Sequence, residues 1–207
     1  MTIQLENIGK KYLREWIFKN VNYEFLSKEA YAITGANGAG KSTFLQILSG
    51  IIPATQGNII YKIDNIETET AAVYNHLSIV APYQSLIEEF TVAELYKFHF
   101  SFRQPKLATL AYTEWLDKLK LSNHGNKPLL FFSSGMKQRV KLGLAFYSPN
   151  DLLLLDEPTN NLDAQGIQWY NDELENILNK TTIIICSNQP SEYERCNHQI
   201  DLGRWKG

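Results

Sequence analysis

The eight residues Gly35-Ala36-Asn37-Gly38-Ala39-Gly40-Lys41-Ser42 constrain this chain more than any other stretch. They follow the apolar run Ala30 to Thr34, which has strand character, and precede a helical pattern that ends near Gly50. Glycines permit a tight backbone wrap at this strand-to-helix turn. Further apolar runs alternate with helical patterns after it: Leu77 to Ala81, Leu152 to Asp156, Thr182 to Ser187 and Gln199 to Leu202. That alternation is the trace of a parallel sheet covered by helices.

Two regions depart from the alternation. Ile3 to Leu5, Val21 to Phe25 and Asn58 to Ile63 read as short, half-exposed strands, so an antiparallel sheet is expected beside the parallel one. Between Thr91 and Ser148 apolar residues recur at helical spacing, as in Tyr112, Trp115, Leu116 and Leu119, then Val140, Gly143, Leu144 and Tyr147. Pro105, the stretch Ser122 to Pro128 and Pro149 punctuate this helical insertion. With 207 residues and no internal repeat, the chain is expected to be a single domain over 1–207. Within it, 1–29 and 51–66 contribute the β subdomain and about 91–148 the helical lobe.

Composition narrows the function. A formal charge of -2 gives no electrostatic reason to coat nucleic acid or an anionic membrane, and no nucleic acid partner is expected. Cys186 and Cys196 are too few for a disulfide framework or a zinc site. The N-terminus lacks a secretory pattern and no window approaches 18 uninterrupted apolar residues, so the chain is expected to reach a membrane only through a partner.

The glycine-rich turn fits the P-loop pattern, whose N–H groups and helix N-terminus converge on phosphate oxygens. Gly35, Ala36, Asn37, Gly38, Ala39 and Gly40 would form the cradle, Lys41 would reach the outer phosphates, and Ser42 would hold magnesium, with Thr43 beside it. The wholly apolar strand Leu152 to Leu155 ends in Asp156 and Glu157, at the strand end where open α/β sheets bind ligands. Asp156 is the natural outer ligand for Mg2+. Glu157, pointing the other way along the pleat, can orient a water for attack on a γ-phosphate. The fold class expected is α/β: a P-loop NTPase core of mainly parallel sheet, a flanking antiparallel β subdomain and an inserted helical lobe.

These motifs together resemble the nucleotide-binding subunits of ABC (ATP-binding cassette) transporters, in the family's order and over nearly the full length. Phe132-Ser133-Ser134-Gly135-Met136-Lys137-Gln138-Arg139 resembles the family's signature motif, with departures at Phe132, Ser134 and Met136. Asp156-Glu157-Pro158-Thr159-Asn160-Asn161-Leu162-Asp163 is similar to the Walker B strand running into the D-loop. The resemblance implies that Ser133, Ser134, Gly135 and Asp163 face nucleotide held by an opposing subunit, in a head-to-tail homodimer or paired cassette with ATP and Mg2+. A Ser-Ser-Gly turn also serves as a simple helix cap. Tyr12 occupies the place of the family's adenine-stacking aromatic, with Trp16 a competing candidate and core packing the plain alternative.

Two further positions depart from the family pattern. The family's glutamine after the Leu77 to Ala81 strand, which contacts magnesium and the attacking water, falls on Gln84, one place late, when aligned from Pro82, and on Pro82 itself when aligned without gaps from Phe90-Thr91-Val92; Gln84 could equally be a surface-loop residue. The switch histidine is replaced by Asn188, which can donate an amide N–H but cannot become a cation, and could equally be a turn residue. The resemblance implies an ATP-hydrolysing motor driving an integral-membrane permease, cytoplasmic and peripheral to the inner or plasma membrane. A cytosolic ABC protein acting on ribosomes or DNA and a nucleotide-switched binding module with little turnover are the rival readings. The permease is expected to dock near Glu88, Glu89 and Phe90.

Overall fold

The computed structural model describes residues 1–103 and 110–206; the break expected at Pro105 lies outside the described residues. In chain order the strands and helices are β1 (Thr2–Tyr12), β2 (Glu15–Phe25), β3 (Ala30–Thr34), α1 (Lys41–Leu48), β4 (Gln56–Ile63), β5 (Ile66–Thr68), β6 (Leu77–Val80), α2 (Val92–Phe102), α3 (Tyr112–Lys118), α4 (Ser134–Tyr147), β7 (Leu152–Asp156), α5 (Ala164–Ile177), β8 (Thr182–Cys186), α6 (Pro190–Tyr193) and β9 (His198–Asp201). They gather into two compact units. One comprises Met1–Ile79, Asn150–Glu157 and the chain from Ile177 onward; the other comprises Val80–Pro149 and Pro158–Asn176.

The first unit holds both sheets. Its five-stranded sheet runs β6-β7-β8-β3-β9, with β7, β8, β3 and β9 parallel to one another. All five residues of β7 and of β8 are buried, which explains their unbroken apolar runs, since helices or a second layer must cover both faces of a parallel sheet. The second sheet is antiparallel, in the order β2-β1-β4-β5. Helix α1 joins the two: it packs on β7 and β8, while Phe44 lies edge-on to Phe18 of β2, ring centroids 5.5 Å apart. One continuous core therefore includes Ile3, Phe18 and Phe25 from the antiparallel sheet, Leu45 and Leu48 from α1, and Leu154 and Ile184 from the parallel sheet.

The antiparallel strands are longer than the sequence pattern suggests, at 11 residues each for β1 and β2, and β5 has no counterpart in the sequence reading. The physical cause is bulging. Asn7 and Asn20 have positive φ, and the β1–β2 register shifts between Leu5 and Ile8. Burial passes from odd residues, Ile3 and Leu5, to Ile8, so strict alternation ends at the bulge although the strand continues. Asn22 secures the bulge by accepting from the Asn7 N–H at 2.9 Å and donating to Asn7 Oδ1 at 3.1 Å.

The second unit is helical among its described residues. Thr91 and Glu94 form a reciprocal capping box that starts α2. Trp115, Leu116 and Leu119 are buried as their spacing predicts, and so are Val140, Leu144 and Tyr147. Gly143 lets α4 approach closely: a Cβ there would stand 2.6 Å from a Leu119 methyl. No helix among the described residues is long and apolar enough to cross a membrane.

His99 on α2 links this packing to pH. Its Nε2 lies 2.7 Å from Ser148 Oγ, whose own hydrogen goes to the Leu144 carbonyl, so the ring nitrogen carries the proton in that bond. Burial, reinforced by the Arg103 charge, pushes the His99 pKa down to about 4. The unfolded chain therefore takes up the proton first: stability from this residue is complete above about pH 6.5 and is lost as pH falls toward 4. Urea unfolding at pH 7 and pH 5 should accordingly show a smaller loss for His99→Gln than for the parent, because glutamine keeps a donor without titrating. Parallel losses would contradict this assignment.

Candidate functional site

The glycine-rich turn leaves β3 and enters α1 with Gly35, Gly38 and Gly40 all at positive φ. Gly40 is the most demanding position. Its φ is 93°, and a Cβ there would stand 2.3 Å from Ile17 Cγ2, so only glycine fits between the helix start and β2. Lys41 Nζ curls back to donate to the carbonyls of Gly35 at 2.8 Å and Ala36 at 3.4 Å, and the Ala39 N–H closes the turn on Ala36 at 3.0 Å. Gly35, Ala36 and Ala39 thus shape the loop. Asn37, Gly38, Gly40, Lys41, Ser42 and Thr43 line a cavity of about 370 Å³, closed on its other sides by Ile17, Asp156 and Glu157.

The sequence-predicted carboxylates meet the turn in this cavity. Asp156 is only 3% exposed, and its Oδ2 is buried with no hydrogen-bond partner among the described residues. Burial pushes the Asp156 carboxyl up; a hydrogen bond from Ser42 opposes the shift. A buried, unpartnered carboxylate oxygen beside a serine hydroxyl suits a hard divalent cation. Glu157 reaches the cavity by a route the sequence pattern did not foresee. It stands one residue past β7 with φ 46°, so strand alternation does not set its direction; its N–H is fixed by the Cys186 carbonyl at 2.9 Å. The Cys186 thiol lies beneath α1 and donates to the Lys41 carbonyl at 3.6 Å.

Asn188 follows β8 and is exposed. Its Nδ2 donates to Asn37 Oδ1 at 2.9 Å, a contact between two loops that sequence spacing could not reveal. Tyr12 ends β1 directly opposite Glu15, and directly paired residues share a sheet face. Ile17, which lines the cavity, is left unpaired where the β1–β2 register shifts between Trp16 and Phe18. Trp16 faces the other way, packed over Gly9 and under the Lys11 ammonium, 5.3 Å from its ring. Tyr12, half exposed, stands on the opposite face from Trp16 with its ring open to solvent.

The remaining predicted residues lie in the second unit. Ser133 caps α4 by accepting from the Met136 N–H at 3.2 Å, and Ser133, Ser134 and Gly135 line a separate cavity of about 420 Å³ with Arg139 and Asp163. Lys120 and His124 also line it; no motif announced them. Helix α4 grips the segment after Glu157 at three points. Gln138 donates to the Pro158 carbonyl at 2.8 Å, Arg139 pairs with Asp163 at 3.5 Å, and a Cβ on Gly135 would stand 2.8 Å from the Asn161 carbonyl. Asp163 is also held by the Gly166 N–H at 2.7 Å, which makes it a cap for α5. Gln84 turns back on its own loop: its Oε1 accepts from the Ala81 N–H at 3.0 Å, and its carbonyl accepts from Lys141.

Comparison with known proteins agrees with this architecture. The sequence pattern of the ABC transporter family matches residues 18–160. The lantibiotic transport ATP-binding protein SrtF of Streptococcus pyogenes is 34% identical over 200 residues, 93% of this chain and 82% of that protein. The linearmycin resistance ATP-binding protein LnrL of Bacillus subtilis is 32% identical over 199 residues, 93% of this chain and 63% of that protein. In structure, a putative ABC transporter ATP-binding protein from Pyrococcus furiosus superposes with a TM-score of 0.82 at 20% identity over all of both chains. The MJ0796 cassette, solved as a dimer, gives 0.80 at 24% identity over 97% of this chain and 95% of that one. The chain belongs to the ABC transporter family, as one of its ATP-binding, ATP-hydrolysing subunits.

Proposed function

We propose that this chain is the motor of a membrane transporter and that two cassettes close head to tail on ATP. The observation that carries the proposal is the cavity in which Lys41, Ser42, Asp156 and Glu157 converge. Backbone N–H groups at the start of α1 and the Lys41 ammonium neutralise the outer phosphates, and Tyr12 stacks on the base. Ser42 and Asp156 are the residues that would hold Mg2+, which when bound supplies charge neutralisation across the phosphates. Glu157 accepts a hydrogen bond from the attacking water and orients it in line. Ser133, Ser134 and Gly135 line a second cavity that shares no residue with the first, which fits a pair of cassettes each completing the other's site. Asp163, braced by Arg139, would sit at the same junction.

Gln84 is proposed to follow the nucleotide's state by releasing the Ala81 N–H, at the cost of one part-buried loop hydrogen bond. The permease surface is proposed to extend from the expected Glu88, Glu89 and Phe90 to their apolar neighbours. Glu88 is paired with Lys137 at 2.7 Å, and Phe90 is half-buried against the Phe98 ring. Exposed apolar groups there are Tyr83 and Ile87 in the loop before α2, Phe98 and Phe102, one turn apart on α2, and Leu130 and Phe131 before the signature turn. An apolar patch of this kind suits a hydrophobic partner and would place the cassette at the cytoplasmic face of the membrane.

Two experiments test the reading. Glu157→Gln should keep ATP affinity, lose phosphate release and, with MgATP, elute as a dimer; a variant that hydrolyses at the parent rate would contradict the role of Glu157. Phe131→Glu should release the chain from its membrane partner in co-purification while nucleotide affinity of the isolated chain stays unchanged. Normal co-purification would put the docking surface elsewhere.

A further inference from the structure

Asn188 occupies the position from which a donor would be expected to act on phosphate, yet it is not among the residues that line the phosphate cavity. Its amide ends on Asn37, which does line it. Sheet topology brings the two together. β3 and β8 pair in parallel with Ile33 beside Cys186, so the loops that follow them leave the same sheet edge as neighbours. Both loops are pinned. The Ser187 N–H donates to the Ile33 carbonyl at 3.2 Å, Ser187 Oγ accepts from the Gln189 N–H at 2.8 Å, and Pro190 opens α6; on the other side, the Ala39 to Ala36 bond closes the turn around Asn37.

A primary amide has an acceptor on one arm and a two-hydrogen donor on the other, so fixing one arm decides what the other presents. Asn37 Oδ1 is taken by Asn188 Nδ2, and Asn37 Nδ2 makes no other hydrogen bond among the described residues. We propose that Asn188 is a positioning residue: it holds the Asn37 oxygen, turns the Asn37 NH2 toward the terminal phosphate, and leaves that contact to Asn37. The opposite amide orientation would aim an oxygen at an anion. An acceptor facing the charge that develops on the phosphoryl oxygens opposes turnover, whereas a preorganised donor assists it. The proposal rests on the Gly35–Ser42 turn being the ATP phosphate site.

The proposal and direct contact by Asn188 differ in what they predict. Steady-state phosphate release and affinity for a fluorescent ATP analogue are measured on the full chain for the parent, Asn37→Ala, Asn188→Ala, the double variant and Asn188→His. Asn37→Ala should lower turnover about tenfold, as expected for one hydrogen bond to a charged group. Asn188→Ala should lower it only a few-fold, because the phosphate can still recruit the freed amide. In the Asn37→Ala background Asn188→Ala should cost nothing, since its route of action is gone. Affinity should fall less than turnover in every variant, placing the larger part of each loss in kcat.

Asn188→His keeps an N–H for Asn37 in either protonation state, so its turnover should match the parent with the same profile from pH 6 to 8. An equal loss from Asn188→Ala in both backgrounds would overturn the proposal, as would an Asn188→His rate that climbs with falling pH, which marks a cation touching phosphate directly. A parent that binds the analogue but shows either pattern refutes the relay alone. A parent that does not bind it refutes the phosphate site as well.

Discussion

Parallel pairing of β3, β7 and β8 fixes where everything chemical can lie. Strands that run the same way end on the same edge, so three loops leave side by side: the glycine turn after Thr34, the carboxylates at Asp156 and Glu157, and Asn188 two residues past Cys186. The pairing is held by complete burial of β7 and β8 and by α1, whose apolar face is sandwiched between the two sheets. The cost of burying so many backbone amides is met by ladder hydrogen bonds, and the apolar side chains supply the driving force. Burial also reaches the site. Asp156 closes a strand that has no solvent on either face, so its carboxylate is desolvated and suited to a counter-charge.

Those parts of the site that depend on residue type were legible in the sequence. Gly40 must be glycine because Ile17 leaves no room for a Cβ, and Lys41, Ser42 and Asp156 carry their chemistry in their side chains, so spacing alone located them. Leu152 to Leu155 could be read as a buried strand because burial on both faces removes alternation. The antiparallel sheet was half legible for the opposite reason: bulges at Asn7 and Asn20 break the period that reveals a half-buried strand.

What depends on tertiary placement was not legible. Nothing in the spacing links Asn188 to Asn37, 151 positions apart, because the contact follows from strand order rather than from local pattern. Glu157 reaches the cavity through a left-handed backbone turn and not through the pleat. Trp16 and Tyr12 are equivalent as aromatics, and only the register of β1 against β2 separates them. Arg139 was visible as part of a motif, but its pairing with Asp163 and its stacking 5.7 Å from the Trp169 ring required the fold.

The central claim is that the backbone cradle ending in Lys41 and Ser42 recognises phosphates, with the base a lesser anchor. Calorimetric titration of the full chain with ATP, ADP, AMP and adenosine in the presence of magnesium tests it most directly. ADP should bind about tenfold more weakly than ATP, having lost the contacts to the terminal phosphate. AMP and adenosine should be weaker by roughly a hundredfold or more, since each charge-assisted hydrogen bond lost to a phosphate is worth about tenfold. Adenosine binding as tightly as ATP would contradict the claim and place recognition on the base alone.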